Sequence, residues 1–538
     1  MNILVEEITA GLPGPSELSA HALIHGEVHG LPVIRQLDDL TPGLDLWSED
    51  CRRDLASSIK SGLGGLDLPN AAIDSLEALG QPGAVAIITG QQPGFLCSPL
   101  YSLYKAMQAC KLAQELTAKW KRSVIPLFWN HADDHDIAEV HHSYIQNRNL
   151  DLQKVSLAGL SSGRLPLSSI VLDEEAQGLA SIRAFLEQNF GMYPHGDEGV
   201  DLFMPRTGET LPNTMTRVFL QVLGPMGLIP IEPDWIRKPL GQALAQVVEC
   251  DGAKVLQASN DLPYGAAIDP SNASLLFHVN EQGRTAVRWQ EQGYVIDGSD
   301  EVILPTTLAE RIRKEPNAWS AGALFRPLIQ DLALPCIGYV GGYGELAYHA
   351  QLVETRKATK TPVTAFIPRV SATLIDQECS VSLKKAGVTL QQVLLGGGDL
   401  KIEDEASQTP GVFADIQRIL DEARSALNTQ RAPLAAIEPS MDRGLKRATD
   451  QMTAGIEKLL ATALRIHQNK GGKTGRHVRR LNNRLMPRGN LQERVLGPLE
   501  FYARYGPVCI TALYAVLPSL SQAHLALTLQ PPASSDTQ

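Results

Sequence analysis

The chain has 538 residues, 43% hydrophobic and 20% charged, with a formal net charge of −11. That length exceeds what one hydrophobic core usually supports, so two or three domains are expected in an ordinary globular protein. The acidic balance argues against a nucleic-acid surface, which needs a basic excess to neutralise phosphates, and no apolar stretch is long enough to span a bilayer.

Residues 1–80 alternate polar helical patches with Gly- and Pro-rich turns and predict helices packed on a core that begins within residues 1–145. The first strong signal is Ala84-Val85-Ala86-Ile87-Ile88, a β-branched run that reads as a buried strand. It stops at the polar turn Thr89-Gly90-Gln91-Gln92-Pro93-Gly94. A helix should follow, capped by Ser98, with Pro99 in its first turn and Leu100, Leu103, Met107 and Cys110 on one face. Residues 124–129 predict a second strand, which runs into His131-Ala132-Asp133-Asp134-His135-Asp136. Strand, helix and strand in this order make a right-handed βαβ unit with parallel strands, so both polar clusters leave the sheet at its ligand-binding edge.

Another strand is expected near residues 141–145, irregular structure over 146–208, a helix over 211–223, and a short strand over 227–231 that ends at Glu232 and Asp234. Within the inserted region 146–330, residues 265–300 read as a small antiparallel meander. The core resumes over 331–378, with a strand at 335–340 running into Gly341-Gly342-Tyr343-Gly344 and a helix through Glu345, Leu346, Tyr348, Leu352 and Val353. Those glycines fit either a tight packing turn or a backbone that approaches an anion. A last core strand, 362–367, delivers Arg369 and Ser371 to the same edge. Residues 379–480 read as a helical domain, because Leu445, Met452, Leu459 and Ile466 repeat every seven residues, with Met441, Ala448 and Gly455 between them. Pro433 and Pro439 separate this helix from an earlier one bearing Ile416, Ala423 and Leu427, which predicts a hairpin. Residues 481–538 are expected to pack back on the core and end in a disordered polar tail from Gln530.

The seven cysteines are scattered without a CxxC pair, and the N-terminus lacks the basic and apolar regions of a secretion signal; both fit a reducing cytoplasm. Residues 131–142 hold the densest titratable cluster in the chain. A metal site is one reading, although the crowded run 133–136 cannot direct all its side chains at one ion. Substrate binding with acid–base work, or capping of a following helix, are the others. Gln91 and Gln92 can hydrogen-bond a carboxylate or amine without adding charge. The basic residues between Lys470 and Arg494 read as a solvated face or an anion site. Cys97 has no activating partner in sequence and reads as a buried small residue.

Taken together, these pieces resemble the BshC family, the cysteine ligases of bacillithiol biosynthesis. The matching segments are Thr89-Gly90-Gln91-Gln92, Tyr104-Lys105, Phe128-Trp129, Asp134-His135-Asp136 with Glu139, Arg326-Pro327 with Gln330-Asp331, Gly342 with Glu345 and Tyr348, Pro368-Arg369 with Ser371, and Leu491-Gln492-Glu493-Arg494. The resemblance implies a Rossmann-like parallel-sheet core with inserted connecting-peptide regions, and a helical coiled-coil domain that makes a homodimer. It implies a reaction joining the carboxyl group of cysteine to the amine of glucosaminyl malate. Asp134, His135 and Asp136 are then the expected catalytic residues. Thr89, Gly90, Gln91, Gln92, Tyr104, Trp129, Glu139, Gly341, Gly342, Glu345, Tyr348, Arg369 and Ser371 are the expected substrate contacts. Gln492 and Arg494 are expected at a nucleotide pocket away from the main cleft. Where family members often carry Pro and Asn, this chain has Tyr343 and Gly322. Neither an HxGH signature nor a KMSKS-like loop is present, which leaves ATP or another nucleotide as a candidate co-substrate by analogy alone; no metal is assigned. The alternatives from other classes are a metal-dependent amide hydrolase and a non-catalytic coiled-coil scaffold.

Overall fold

The computed structural model describes residues 1–8, 17–43, 47–160, 163–258, 264–398, 400, 411–438, 440–470 and 472–530. The chain divides into two compact units, one of Met1–Arg148, Leu152–Asp376 and Leu491–Gln538, the other of Asn149–Asp151 and Gln377–Asn490.

The first unit is built on five parallel strands: β1 (Val85–Gln91), β2 (Val124–Asn130), β3 (Ile229–Ile231), β4 (Cys336–Gly341) and β5 (Ala365–Pro368). Their order is β3-β2-β1-β4-β5. The chain adds strands on one side of β1, then returns to add β4 and β5 on the other. The switch point therefore lies between β1 and β4, and the crevice beyond those strand ends is where this architecture receives ligands. Register keeps the ends level: Thr89 pairs with Phe128 on one side and Val340 on the other. Alternate side chains enter opposite layers, Ala86 and Ile88 against Leu127 and Tyr339, Val85 and Ile87 against Leu112 and Leu116. Burial on both faces explains why β1 reads as a continuous apolar run rather than an alternating one.

The helix between β1 and β2 spans Tyr101–Trp120, and Leu100 stands at its N-cap with no side-chain capping bond. Ser98 does not cap it. Buried Ser98 instead lies between a turn at Phe95–Cys97 and that helix.

Several elements depart from the expectations. Residues Asn2–Ile8 form a strand, paired antiparallel with His524–Gln530, which pairs parallel with Ser371–Ile375. Such pairing is set by a partner more than 500 residues away, and strand preference depends on that context more than on local composition. The stretch expected to be irregular carries helices Leu179–Phe190 and Gly196–Phe203. Residues 142–146 are a strand, but they pair with Leu152–Ser156 outside the core sheet. The meander grows to five strands, because Val302–Ile303 and Trp319–Ala321 close its two edges.

The second unit is helical, with its longest helices at Gly411–Thr429 and Ser440–Lys470. It includes residues 481–490, which were expected in the C-terminal segment. On the Ser440–Lys470 helix the buried or half-buried positions among the described side chains are Asp442, Leu445, Thr449, Met452, Thr453, Ile456, Leu460, Thr462 and Ala463, whereas Leu459 is 62% exposed. The inward stripe follows helical spacing rather than the strict seven-residue repeat. The Ile466 side chain and the tail 531–538 lie outside the described residues. No helix among the described residues is long and apolar enough to cross a membrane.

Candidate functional site

A cavity of about 320 Å³ opens at the switch point. Gly90, Gln91 and Gln92 reach it from the end of β1, His131 and Asp134 from β2, Gly342 to Glu345 from β4, and Arg369 from β5; Tyr101, Tyr348 and Arg494 complete it. Level register makes these loops neighbours in space although they span residues 90–494. Gly90 is required here, since a Cβ would sit 2.7 Å from the Trp129 carbonyl oxygen.

Beneath the cavity lies a buried ionic network. Lys105, with no exposed side chain, donates to the Gly90 carbonyl at 2.6 Å and to the Glu345 carboxylate at 2.9 Å. Glu345 also accepts from the Tyr339 hydroxyl at 2.5 Å and from the Gly342 N–H at 2.8 Å. Burial opposes the Glu345 charge, but Lys105, Tyr339 and Gly342 outweigh it and hold its pKa below the ordinary value. Burial likewise pulls the Lys105 ammonium down, against the raising pull of Glu345.

The titratable run after β2 is dispersed rather than convergent. Asp133 pairs with both terminal nitrogens of Arg237 at 2.5 and 2.9 Å, which outweighs burial and lowers its pKa. Asp134 accepts from the Gln92 amide at 2.5 Å and from the His135 N–H at 2.7 Å. His135 Nδ1 lies 3.0 Å from an Arg284 nitrogen. A guanidinium can only donate, so Nδ1 accepts and the neutral ring carries its proton on Nε2. Burial and then Arg284 lower the His135 pKa below 6.5, which keeps that neutral form at pH 7. Asp136 is exposed and outside the cavity lining, as is Glu139. No group of three or more His, Cys, Asp or Glu among the described residues is arranged to hold a metal ion.

The remaining expected residues split between lining and support. Arg369 lines the cavity but is paired with buried Glu493 at 2.7 Å and lies over the Tyr101 ring at 4.8 Å. Thr89 is buried and donates to the Val340 carbonyl at 2.8 Å, tying β1 to β4. Tyr104 is fully buried. Gly341 packs, since a Cβ would meet the Phe366 and Tyr339 rings at 2.8 Å. Ser371 is absorbed by Glu493 and His524, and Gln492 is buried with its amide bonded to both backbone groups of Leu374. Arg494 is exposed in the wall of the main cleft, so the separate nucleotide pocket expected for Gln492 and Arg494 is not where these two residues lie. The neighbouring basic residues Arg476, Arg479, Arg480, Arg484 and Arg488 belong to the helical unit.

A second cavity of about 410 Å³ adjoins the first and shares His131, Asp134 and Tyr348 with it; Trp129 lies here. Lys105, His131, Arg284 and Arg326 are not among the expected site residues. His131 lies in the Asp/His run, and Lys105 and Arg326 lie in family-matching segments, whereas Arg284 has no signal in the sequence. Burial, reinforced by Arg326 and Lys105, holds the pKa of His131 well below 6.5, so this histidine is neutral.

Comparison with known proteins adds an independent finding. The family model described as "Bacillithiol biosynthesis BshC, N-terminal Rossmann-like domain" matches residues 40–370, and the one described as "Bacillithiol biosynthesis BshC, C-terminal coiled-coil domain" matches residues 372–529. A protein of Koribacter versatilis named "Putative cysteine ligase BshC" is 28% identical over 451 residues, 81% of this chain and 82% of the relative. Relatives of the same name in Solibacter usitatus (28% over 463 residues, 82% and 84%) and Desulforamulus reducens (26% over 482 residues, 86% and 87%) are similar over like shares.

Proposed function

The chain belongs to the bacillithiol biosynthesis BshC family, and from that premise we propose that it is a ligase that joins the carboxyl group of L-cysteine to the amine of glucosaminyl malate. The observation that carries this reading is the meeting of four strand ends in one cleft holding both signs of charge, Arg369 and Arg494 against Asp134 and Glu345.

Amide formation from a free carboxylate needs activation, and a nucleoside triphosphate is the proposed donor. The exposed Arg494 guanidinium at the cleft can meet its phosphates by charge-assisted bonds. The attacking amine must lose a proton. Asp134, oriented by Gln92 and by the His135 N–H, is placed to accept it. His135 then serves as an Nε2–H donor rather than as the base. Lys105 holds the Gly90 carbonyl and so fixes the turn that carries Gln91 and Gln92. Seven free cysteines fit a cytoplasmic enzyme.

We also propose a homodimer through the helical unit. Met441 and Leu459, 46% and 62% exposed, stand five helical turns apart on one face.

The test is thiol-product formation by purified protein with cysteine, glucosaminyl malate and each nucleoside triphosphate. Asp134→Asn should lower the rate on the order of 10²-fold or more while the melting temperature holds. No thiol product from the wild type, or full activity in the variant, would overturn the reading.

A further inference from the structure

The second cavity contains two buried guanidinium groups, neither of them in an ion pair among the described residues. Arg284, on the Gly283–Gln290 strand of the meander, donates to the Ser320 hydroxyl at 3.2 Å, the Ala321 carbonyl at 3.1 Å and His135 Nδ1 at 3.0 Å. Its guanidinium carbon lies 3.8 Å from the centre of the Phe277 ring. Arg326 bonds Gln330 Oε1 at 2.9 Å and the Tyr348 hydroxyl at 3.1 Å. Both side chains are at most 8% exposed, both line the cavity, and neither has an ion pair among the described residues. Of the nearby carboxylates, Asp133 is paired with Arg237 and Glu345 with Lys105, while Asp134 accepts from the neutral Gln92 amide and lines the same cavity.

Buried charges are normally paired, because an uncompensated one loses its solvation without replacement. Two in one cavity of about 410 Å³, with Asp134 in the same wall and Asp133 paired with Arg237, leave positive charge in excess in a chamber whose other walls include Trp129, Phe277 and Ile329. Arg284 is also fixed in place by its ring stack and three hydrogen bonds, which presents a preorganised donor fork rather than a mobile surface charge.

We propose that this chamber is the subsite for the malate end of the sugar substrate, with Arg284 and Arg326 each facing one of its two carboxylates. The assignment rests on the ligase reading above. Two guanidinium groups offer one donor fork to each carboxylate of a dicarboxylate, and a triphosphate would exceed them in charge. The wall shared with the first cavity, at His131, Asp134 and Tyr348, is then where the glucosamine ring crosses, so that its amine faces the carboxyl group of cysteine. The meander thereby acquires a role: it supplies the roof and one of the two cations that select an anionic glycoside over a neutral one.

The test is calorimetric binding to the full-length protein of glucosaminyl malate, of methyl glucosaminide, which keeps sugar and amine but lacks both carboxylates, and of cysteine. Arg284→Gln and Arg326→Gln should each weaken glucosaminyl malate at least about tenfold, the scale of a lost hydrogen bond to a charged group. Cysteine binding should change less than twofold, and methyl glucosaminide should bind all forms equally weakly. Arg284→Lys, which keeps the charge and loses the fork, should fall between wild type and Arg284→Gln and guards against misfolding of the neutral variant. Unchanged affinity for glucosaminyl malate in variants that melt like the wild type would overturn the subsite while leaving a working ligase. Failure of the wild type to bind glucosaminyl malate at all would instead overturn the function on which the subsite rests.

Discussion

Replacing Lys105 with Met tests whether the buried network below the cleft behaves as the geometry requires. The substitution keeps the length of the side chain but deletes the 2.9 Å ion pair with Glu345 and the 2.6 Å bond to the Gly90 carbonyl. Removing one partner of a buried pair costs about 3–5 kcal/mol because the other charge is stranded. Glu345 keeps Tyr339 and Gly342 as donors, and its side chain is 25% exposed, so the lower end, about 3 kcal/mol, is expected. Urea unfolding of Lys105→Met, Glu345→Gln and the double variant should give a coupling of about 1–3 kcal/mol, with the double variant more stable than the sum of the singles requires. The sign with pH follows from the lowered Glu345 pKa. Its contribution is present above the ordinary carboxylate value and lost as pH falls through the folded one, so the Lys105→Met deficit should shrink on acidification from pH 7 to pH 4. Additive single effects, or a deficit equal at both pH values, would refute the reasoning.

Two further outcomes are expected. Burial raises the Glu232 carboxyl from 4.5 to about 7, so its favourable contribution is full below 4.5 and lost as pH rises through about 7; Glu232→Gln should gain up to about 3 kcal/mol at pH 8 and little at pH 5 in thermal or urea unfolding. In the homodimer proposed above, Leu459→Asp should give monomers in light scattering without changing helix content, since a two-fold interface loses the burial of two leucines, about 3–6 kcal/mol; an unchanged mass would overturn an interface at Leu459.

What the sequence determined by itself was whatever is encoded over short distances. The β1–helix–β2 unit was legible because buried parallel strands are apolar runs bounded by Gly and Pro, and because helical spacing marks Leu103, Met107 and Cys110. Chirality then sends both polar loops to one edge, so the pattern alone sets Gly90, Gln91, Gln92 and Asp134 beside Gly342 and Arg369. The heptad was legible as a pattern but not as a surface: Leu459 points outward and Thr449 inward, since local packing partners decide which stripe is covered. Only the tertiary structure could pair Asn2–Ile8 with His524–Gln530, or divide the Asp/His run among Arg237, Gln92 and Arg284. It alone separates Arg369, paired with Glu493, from Arg284 and Arg326, which have no ion pair among the described residues. A charged residue reads the same in sequence whether or not its charge is compensated. Compensation depends on side chains brought within a few ångströms by contacts far apart along the chain, and on the burial that makes its absence costly.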